Sequence, residues 1–216
     1  MDSPGDWASE LEGNFVEMAW TNRWFGGLGS IQRSLGPLVA AGGGRVLDVG
    51  TGAGQTFREL GDWSAKRGAP LQLVALDRSA DFLALAGRNE QTLLRCAGDG
   101  LRLPFPSGTF DAVLSLQTLH HLNDAQAVTL IREMVRVSRA LVVISDLRRG
   151  ILPYLGAEIL AHTVWRNPLT RHDGPVSVRR GFTPEELARL GVEGGAKGCA
   201  VRRYGPFRIV LEWVKP

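Results

Sequence analysis

Short apolar runs alternate with stretches of helical period along most of the chain. Five of these runs are almost continuously apolar: Arg45–Val49 (RVLDV), Leu71–Leu76 (LQLVAL), Thr92–Cys96 (TLLRC), Phe110–Leu116 (FDAVLSL) and Ala140–Ser145 (ALVVIS). Such runs suit strands covered on both faces. Helices are predicted between them, over about 54–66, 79–88 and 124–138. The alternation reads as a mostly parallel α/β sheet with helices on both faces. After residue 150 the pattern changes. ILPYLGAEILAHTVW reads as a helix and RNPLTRHDGP as a loop. A helix restarts at Thr183-Pro184-Glu185-Glu186, where Thr183 caps, Pro184 enters the first turn and Glu186 reaches back. The ending CAVRRYGPFRIVLEWV reads as two strands about Gly205-Pro206. Five parallel strands closed by an antiparallel hairpin make a seven-stranded, Rossmann-like sheet.

The 216 residues carry 44% apolar and 22% charged side chains. That balance suits a single domain that buries about two-thirds of its unfolded surface without a staple. Cys96 and Cys199 are the only cysteines. A disulfide framework and a four-cysteine zinc site are therefore excluded, and a reducing, cytoplasmic setting is expected. No apolar run is long enough to span a membrane, and the acidic N-terminus does not read as a secretory signal. Residues 1–138 hold 12 Lys+Arg against 15 Asp+Glu, and residues 139–216 hold 13 against 7. With no dense basic run, the excess reads as a solvated Arg-rich surface, the alternative being a surface for an anionic or aromatic partner.

The most informative segment is Asp48-Val49-Gly50-Thr51-Gly52-Ala53-Gly54-Gln55, a strand running into a glycine turn that opens a helix. Glycines let backbone N–H groups approach a ligand, and the helix start adds unpaired donors. The dinucleotide fingerprint G-x-G-x-x-G/A requires a small residue where Gln55 stands. Asp48, two residues before the first glycine, suits a cationic amine better than a pyrophosphate. Asp77 ends the next strand, where a carboxylate accepts ribose hydroxyls. Asp99-Gly100 follows the third, where an acid meets an exocyclic amine and the next N–H meets a ring nitrogen.

The loop DVGTGAGQ, the acid of ALDRS, the pair in GDGLRLPF and the run FDAVLSLQTLHHL resemble the motifs of class I S-adenosylmethionine-dependent methyltransferases. The likeness covers roughly residues 43–146 and is nearest to the small-molecule branch of the ubiquinone/menaquinone-biosynthesis type. The segment NPLTRHDGPVSVRRGFTPEELARL is similar to a subgroup linked to bacterial polyketide or aromatic-lipid pathways. The resemblance implies S-adenosyl-L-methionine as cofactor. It implies that Gly50, Gly52 and Gly54 line the methionine part, with Asp48 orienting the amine. Asp77, with Arg78 beside it, would hold the ribose, Asp99 and Gly100 the adenine, and Leu116 and Gln117 would offer backbone groups to the amine. It implies methyl transfer to a small hydrophobic or aromatic acceptor, with O-methylation expected first and C-methylation second. Rival readings are a methyltransferase acting on RNA or protein, a non-catalytic cofactor-binding partner subunit, and a nicotinamide dehydrogenase. The RNA reading lacks an Asn/Asp-Pro-Pro-Tyr-type motif and an appended RNA-binding module, so no nucleic-acid partner is expected.

Four histidines are available as bases. His120 and His121 follow the fourth strand, and His120 is expected to line the pocket. His172 beside Asp173 is the second candidate base, since a carboxylate raises imidazole basicity. His162 is expected to pack within its helix. No metal is expected, because adjacent histidines rarely reach one ion and no H-E-x-x-H or cysteine pair supports one. The expected division is an N-terminal helical lid (1–41) carrying Trp7, Leu11, Phe15, Met18 and Trp24, a cofactor-binding core (42–146), a substrate-cover insertion (147–182) and a closing helix and hairpin (183–216). The same N-terminal aromatics would also suit a helix simply packed on the sheet. In the cover, Leu152, Tyr154, Leu155, Ile159, Leu160, Val164 and Trp165 are expected to form an apolar wall. Arg166, Arg171, Arg179 and Arg180 are expected to meet a carboxylate or phenolate there.

Overall fold

A computed structural model describes residues 4–89 and 94–216, the side chains of residues 4–11, 55, 88 and 89 excepted. Among the described residues, seven strands form one sheet in the order β3-β2-β1-β4-β5-β7-β6. They are β1 (Arg45–Val49), β2 (Gln72–Asp77), β3 (Leu94–Ala97), β4 (Phe110–Leu116), β5 (Ser138–Leu147), β6 (Ala200–Tyr204) and β7 (Arg208–Val214). The first five are mutually parallel, and β7 pairs antiparallel with both β5 and β6. The sequence places β1 and β4 correctly to the residue. β3 is described from Leu94 to Ala97, and residues 92 and 93 of the predicted strand lie outside the described residues.

Helices cover both faces: α1 (Pro4–Trp24), α2 (Gly27–Ala40), α3 (Gln55–Ala65), α4 (Ala80–Asn89), α5 (Asp124–Val137), α6 (Ile151–Thr163), α7 (Pro168–Arg180) and α8 (Pro184–Glu193). Period-2 alternation divides the core. Leu47, Val113, Val142 and Ile144 point to the α5/α8 side, and Val46, Ala112, Leu114 and Val143 to the α2 side. Leu114 is 1% exposed. Leu114→Ala is expected to cost about 3 kcal/mol, read as a lowered urea midpoint with an unchanged denaturant slope.

The caps follow the sequence. Thr183 Oγ1 accepts from the Glu186 N–H at 3.3 Å and Glu186 Oε2 from the Thr183 N–H at 2.9 Å, the reciprocal box expected for α8. One expectation is corrected: RNPLTRHDGP is not a loop but the start of α7. Asn167 Oδ1 accepts from the N–H groups of Leu169 and Thr170, and Pro168 takes the first helical position. Gly174-Pro175, the end of that segment, is buried inside the helix. A Cβ on Gly174 would lie 2.3 Å from the Trp165 ring, so the glycine serves helix packing.

Candidate functional site

The C-terminal tips of β1, β2, β4 and β5 open onto one cavity of about 640 Å³, roofed by α1, α6 and α7. Ligands of open α/β sheets bind in this crevice.

Gly50, Gly52 and Gly54 carry φ angles of 76°, 57° and 69°, a region that side-chain-bearing residues rarely occupy. At Gly50 space is also excluded: a Cβ would stand 2.4 Å from Thr118 Oγ1. Thr118 donates to the carbonyls of Leu116 and Gly50 at 3.0 and 3.2 Å and ties the β4 tip to the loop. Asp77 accepts from the Gly52 N–H at 2.8 Å and the Ser79 N–H at 2.9 Å, fixing the loop against the β2 tip. Asp99 turns its carboxylate onto the Leu101 N–H at 2.9 Å.

Asp48 lies under this loop, 3% exposed. Burial drives its carboxyl up to about 7, with the charge of Asp77 adding to the rise. The nearby Thr51 hydroxyl works the other way without reaching hydrogen-bond geometry. Asp48 Oδ1 and Thr51 Oγ1 have no hydrogen-bond partner. A buried acid without a counter-charge costs stability when ionised. Between pH 4 and 7 the folded chain keeps a proton that the unfolded chain has released, so this contribution declines as pH rises through that window. Asp48→Asn is therefore expected to raise the urea midpoint at pH 8 and to leave it unchanged at pH 4.

Past β4 a single 3₁₀ turn, Leu119–His121, carries His120 into the cavity wall. His120 is 5% exposed, and its Nδ1 lies 2.7 Å from Asp146 Oδ1. Its backbone N–H donates to Asp146 Oδ2 at 3.2 Å and the Leu147 N–H to Oδ1 at 2.6 Å. Burial would raise the Asp146 carboxyl, but His120, these hydrogen bonds and the charge of Arg208 outweigh it and hold it below the ordinary carboxylate value. An ionised Asp146 keeps the His120 proton on Nδ1, leaving Nε2 as the acceptor. Nε2 makes no hydrogen bond among the described residues.

Beside this pair, Arg208 at the start of β7 is 1% exposed and also lines the cavity. With the Gln117 amide oriented as its neighbours require, its oxygen accepts from Arg208 Nη1 and Nη2 at 2.8 and 2.9 Å, and its nitrogen donates to Asn22 Oδ1 at 2.7 Å. Asn22 Oδ1 also accepts from Arg208 Nη2. Gln117 has a φ of 50°, the one non-glycine at positive φ among the described residues. Burial pulls the Arg208 guanidinium down to about 10, and Asp146 partly restores it.

The cavity thus gathers Gly50, Gly52, Asp77, Arg78, Asp99, Gly100, Leu116, Gln117 and His120 from the sequence-derived candidates. Asp48 and Gly54 are buried without lining it. His172 lies elsewhere: it sits on the outer face of α7 with an 80% exposed side chain, paired with Asp173 at 2.9 Å. It borders a separate hollow with His162, which is also exposed rather than packed. Arg166, Arg171, Arg179 and Arg180 do not line the cavity. Arg171 donates to the Ala161 carbonyl and Arg179 stacks on Tyr154. The expected wall on α6 is split: Leu160 and Trp165 face inward with Pro153 and Ala157, whereas Leu152, Leu155, Ile159 and Val164 are exposed. On α1, Phe15 and Met18 line the cavity, Trp24 is exposed, and the side chains of Trp7 and Leu11 lie outside the described residues.

Sequence reasoning missed Asp146, Arg208 and Asn22. Asp146 carried the available signal, a fourth acid at a strand tip in ALVVISD. Arg208 was visible as a charge at the head of the apolar run IVL.

The donor set fits a zwitterionic aminoacyl nucleoside: a cradle of left-handed glycines, an orphaned buried carboxylate beneath it, and carboxylates at two further strand tips. A methyltransferase-domain family model matches residues 47–142. The chain is 31% identical over 176 residues to a demethylmenaquinone methyltransferase of Roseiflexus sp. (strain RS-1), covering 75% of this chain and 71% of the relative. It is 34% identical over 117 residues to an ajmaline N-methyltransferase of Rauvolfia serpentina, covering 50% and 38%. In fold it is similar to the magnesium protoporphyrin IX methyltransferase of Synechocystis PCC 6803 solved with bound S-adenosylmethionine (TM-score 0.59, 17% identity, 92% and 84% covered). It is also similar to a methyltransferase of Aquifex aeolicus that depends on the same cofactor (TM-score 0.57, 17% identity, 79% and 81% covered). The chain belongs to the class I S-adenosylmethionine-dependent methyltransferases, in their menaquinone-type branch.

Proposed function

We propose that the chain transfers a methyl group to a hydroxyl oxygen of a small aromatic or lipid-like acceptor. The observation that carries this reading is the continuity of one cavity from the glycine loop to a buried His–Asp pair and an apolar wall. When bound, S-adenosylmethionine supplies a methyl carbon made electrophilic by its sulfonium. Gly50, Gly52 and Gly54 shape the cradle for its aminoacyl part, and Asp48 answers the amine's charge from below. Asp77 and Arg78 face the ribose, Asp99 and Gly100 the adenine, and Leu116 and Gln117 the amine.

The acceptor enters the part walled by Phe25, Ala157, Leu160 and Trp165. Phe15 and Met18 of α1 close over the cofactor side, and α1 is held there by Trp165 Nε1–H donating to Thr21 Oγ1 at 3.1 Å and Asn14 Nδ2–H to Thr170 Oγ1 at 3.0 Å. Closure excludes water and aligns the nucleophile. His120 Nε2 takes the hydroxyl proton, with Asp146 holding the ring and stabilising the imidazolium. Kinship to proteins named for demethylmenaquinone brings a quinol-type ring into the acceptor class, and carbon of such a ring is the second target.

A labelled-methyl transfer screen over phenols, quinone precursors and fatty acids tests the reading. Label in phenolic ethers supports it. Label in ring carbon moves the target to the second reading, and label in RNA or protein alone contradicts both. Calorimetry is expected to show S-adenosylhomocysteine binding with no binding of NAD.

A further inference from the structure

We propose that Arg208 forms a buried oxyanion-receiving subsite, so that the acceptor is held through an acidic oxygen, a phenolate, enolate or carboxylate. The inference rests on the methyl-transfer reading and narrows its acceptor class. Arg208 lines the cavity at 1% exposure, yet its Nε has no hydrogen-bond partner. Its Nη1 and Nη2 meet only neutral amide oxygens, those of Gln117 and Asn22. These amides hold the guanidinium plane without cancelling its charge. Among the described residues no carboxylate makes an ion pair with it.

The acid that acts on it, Asp146, is committed to His120 and to two backbone N–H groups. A buried cation whose nearest partners are neutral is expensive unless an anion completes it. Burial has already drawn the guanidinium down from its ordinary value, and Asp146 only partly restores it. The other titratable groups lining this end of the cavity are His120, His121 and Asp173, and the Arg180 guanidinium acts on His121 from outside the lining. His121 is pushed down by desolvation and by His120, so it adds no standing positive charge. Arg208 follows Phe207, whose ring packs edge-on against Phe25 at 4.8 Å, and both rings line the cavity. A planar acceptor lying along these rings places its oxygen at the guanidinium.

An oxyanion also exists on the cofactor, as its aminoacyl carboxylate, and the test separates the two sources. The probe is 4-nitrophenol, whose ionisation changes its visible absorption, titrated against the whole chain saturated with S-adenosylhomocysteine. Wild type is expected to lower the probe's titration midpoint by about one pH unit or more, the tenfold preference for the ionised form that one paired charge supplies. Arg208→Gln is expected to abolish the shift, Arg208→Lys to keep part of it, and 4-nitroanisole, which cannot ionise, to bind all three proteins alike. Folding of each variant is checked by its affinity for 5′-methylthioadenosine, which lacks the carboxylate.

No midpoint shift with wild type, or an equal shift with Arg208→Gln, overturns the proposal. So does an Arg208→Gln variant that loses tenfold or more in affinity for S-adenosylhomocysteine while keeping methylthioadenosine, because the guanidinium then serves the cofactor carboxylate. Failure of wild type to bind S-adenosylhomocysteine is a separate outcome: it removes the methyl-transfer reading and the subsite that rests on it.

Discussion

Gly50→Ala is expected to weaken S-adenosylhomocysteine binding by a hundredfold or more while leaving the chain folded. Two costs meet at this residue. A φ of 76° is unfavourable for alanine by about 1–3 kcal/mol. The added Cβ also stands 2.4 Å from Thr118 Oγ1 and 2.5 Å from its Cγ2, and overpacking of this kind costs about 1–3 kcal/mol more. Relief requires either the loop to move off the β4 tip or Thr118 to give up its bonds to Leu116 and Gly50. Both motions displace the backbone that faces the cofactor. A hundredfold corresponds to about 2.7 kcal/mol, within the sum of the two costs. Calorimetry reads the affinity, and the urea midpoint reads the fold. A companion variant, Gly68→Ala, separates strain from contact: Gly68 also has a positive φ but meets nothing within 4 Å, so its effect should be confined to modest stability loss with unchanged binding.

The second large effect is expected at the His–Asp pair. His120→Ala should lower kcat for a phenolic acceptor by about 10²–10⁴, the usual contribution of a positioned base, with little change in S-adenosylhomocysteine affinity. Asp146→Asn should lose a large part of the same factor. Its amide cannot hold a proton on His120 Nδ1 as a carboxylate does, and it removes the acid that acts on Arg208. The pH profile separates a base from a packing residue. An unperturbed phenol ionises near pH 10, so the variant's rate should climb with pH from 7 toward the midpoint of the bound acceptor, which the retained Arg208 brings lower, as the acceptor ionises without a base. Wild type should flatten over the same range. A deficit that is constant across pH assigns His120 to packing, and turnover unchanged in both variants removes the base altogether.

The contrast between these two sites shows what local sequence conveys. The glycine loop is legible because its conformation is dictated locally: no other residue type sits comfortably at the positive φ angles of positions 50, 52 and 54. The strand-tip acids Asp77 and Asp99 are legible because a charged residue ending an apolar run has few places to go. The seven strands follow from the same runs and the hairpin from Gly205-Pro206, whereas the order β3-β2-β1-β4-β5-β7-β6 is a tertiary feature that no single run spells out. His120 was placed by position alone, and its partner was not seen. Asp146 lies 26 residues away and meets it only because β4 and β5 pair side by side.

Arg208 was hidden for a related reason. Its partners are at positions 22 and 117, on α1 and past the β4 tip, and no spacing rule links the three. The surface arginines of α7 drew attention instead because they are clustered in sequence, yet the helix turns Arg171 and Arg179 onto Ala161 and Tyr154. The α7 misreading has its own cause. Asn-Pro and Gly-Pro both break helices in isolation, but Asn167-Pro168 here caps one, and Gly174 yields to Trp165. Tertiary packing decided where local propensity pointed the other way.

The account rests on the strand tips holding an aminoacyl nucleoside with its sulfur turned toward His120 and Arg208. A crystal structure of the chain with S-adenosylhomocysteine tests this most directly. The ribose is expected against Asp77, the adenine against Asp99-Gly100, the aminoacyl group over Gly50–Gly54, and the sulfur open to the cavity that His120 borders. Ligand density outside this crevice, or a sulfur walled off from His120 by protein, would contradict it.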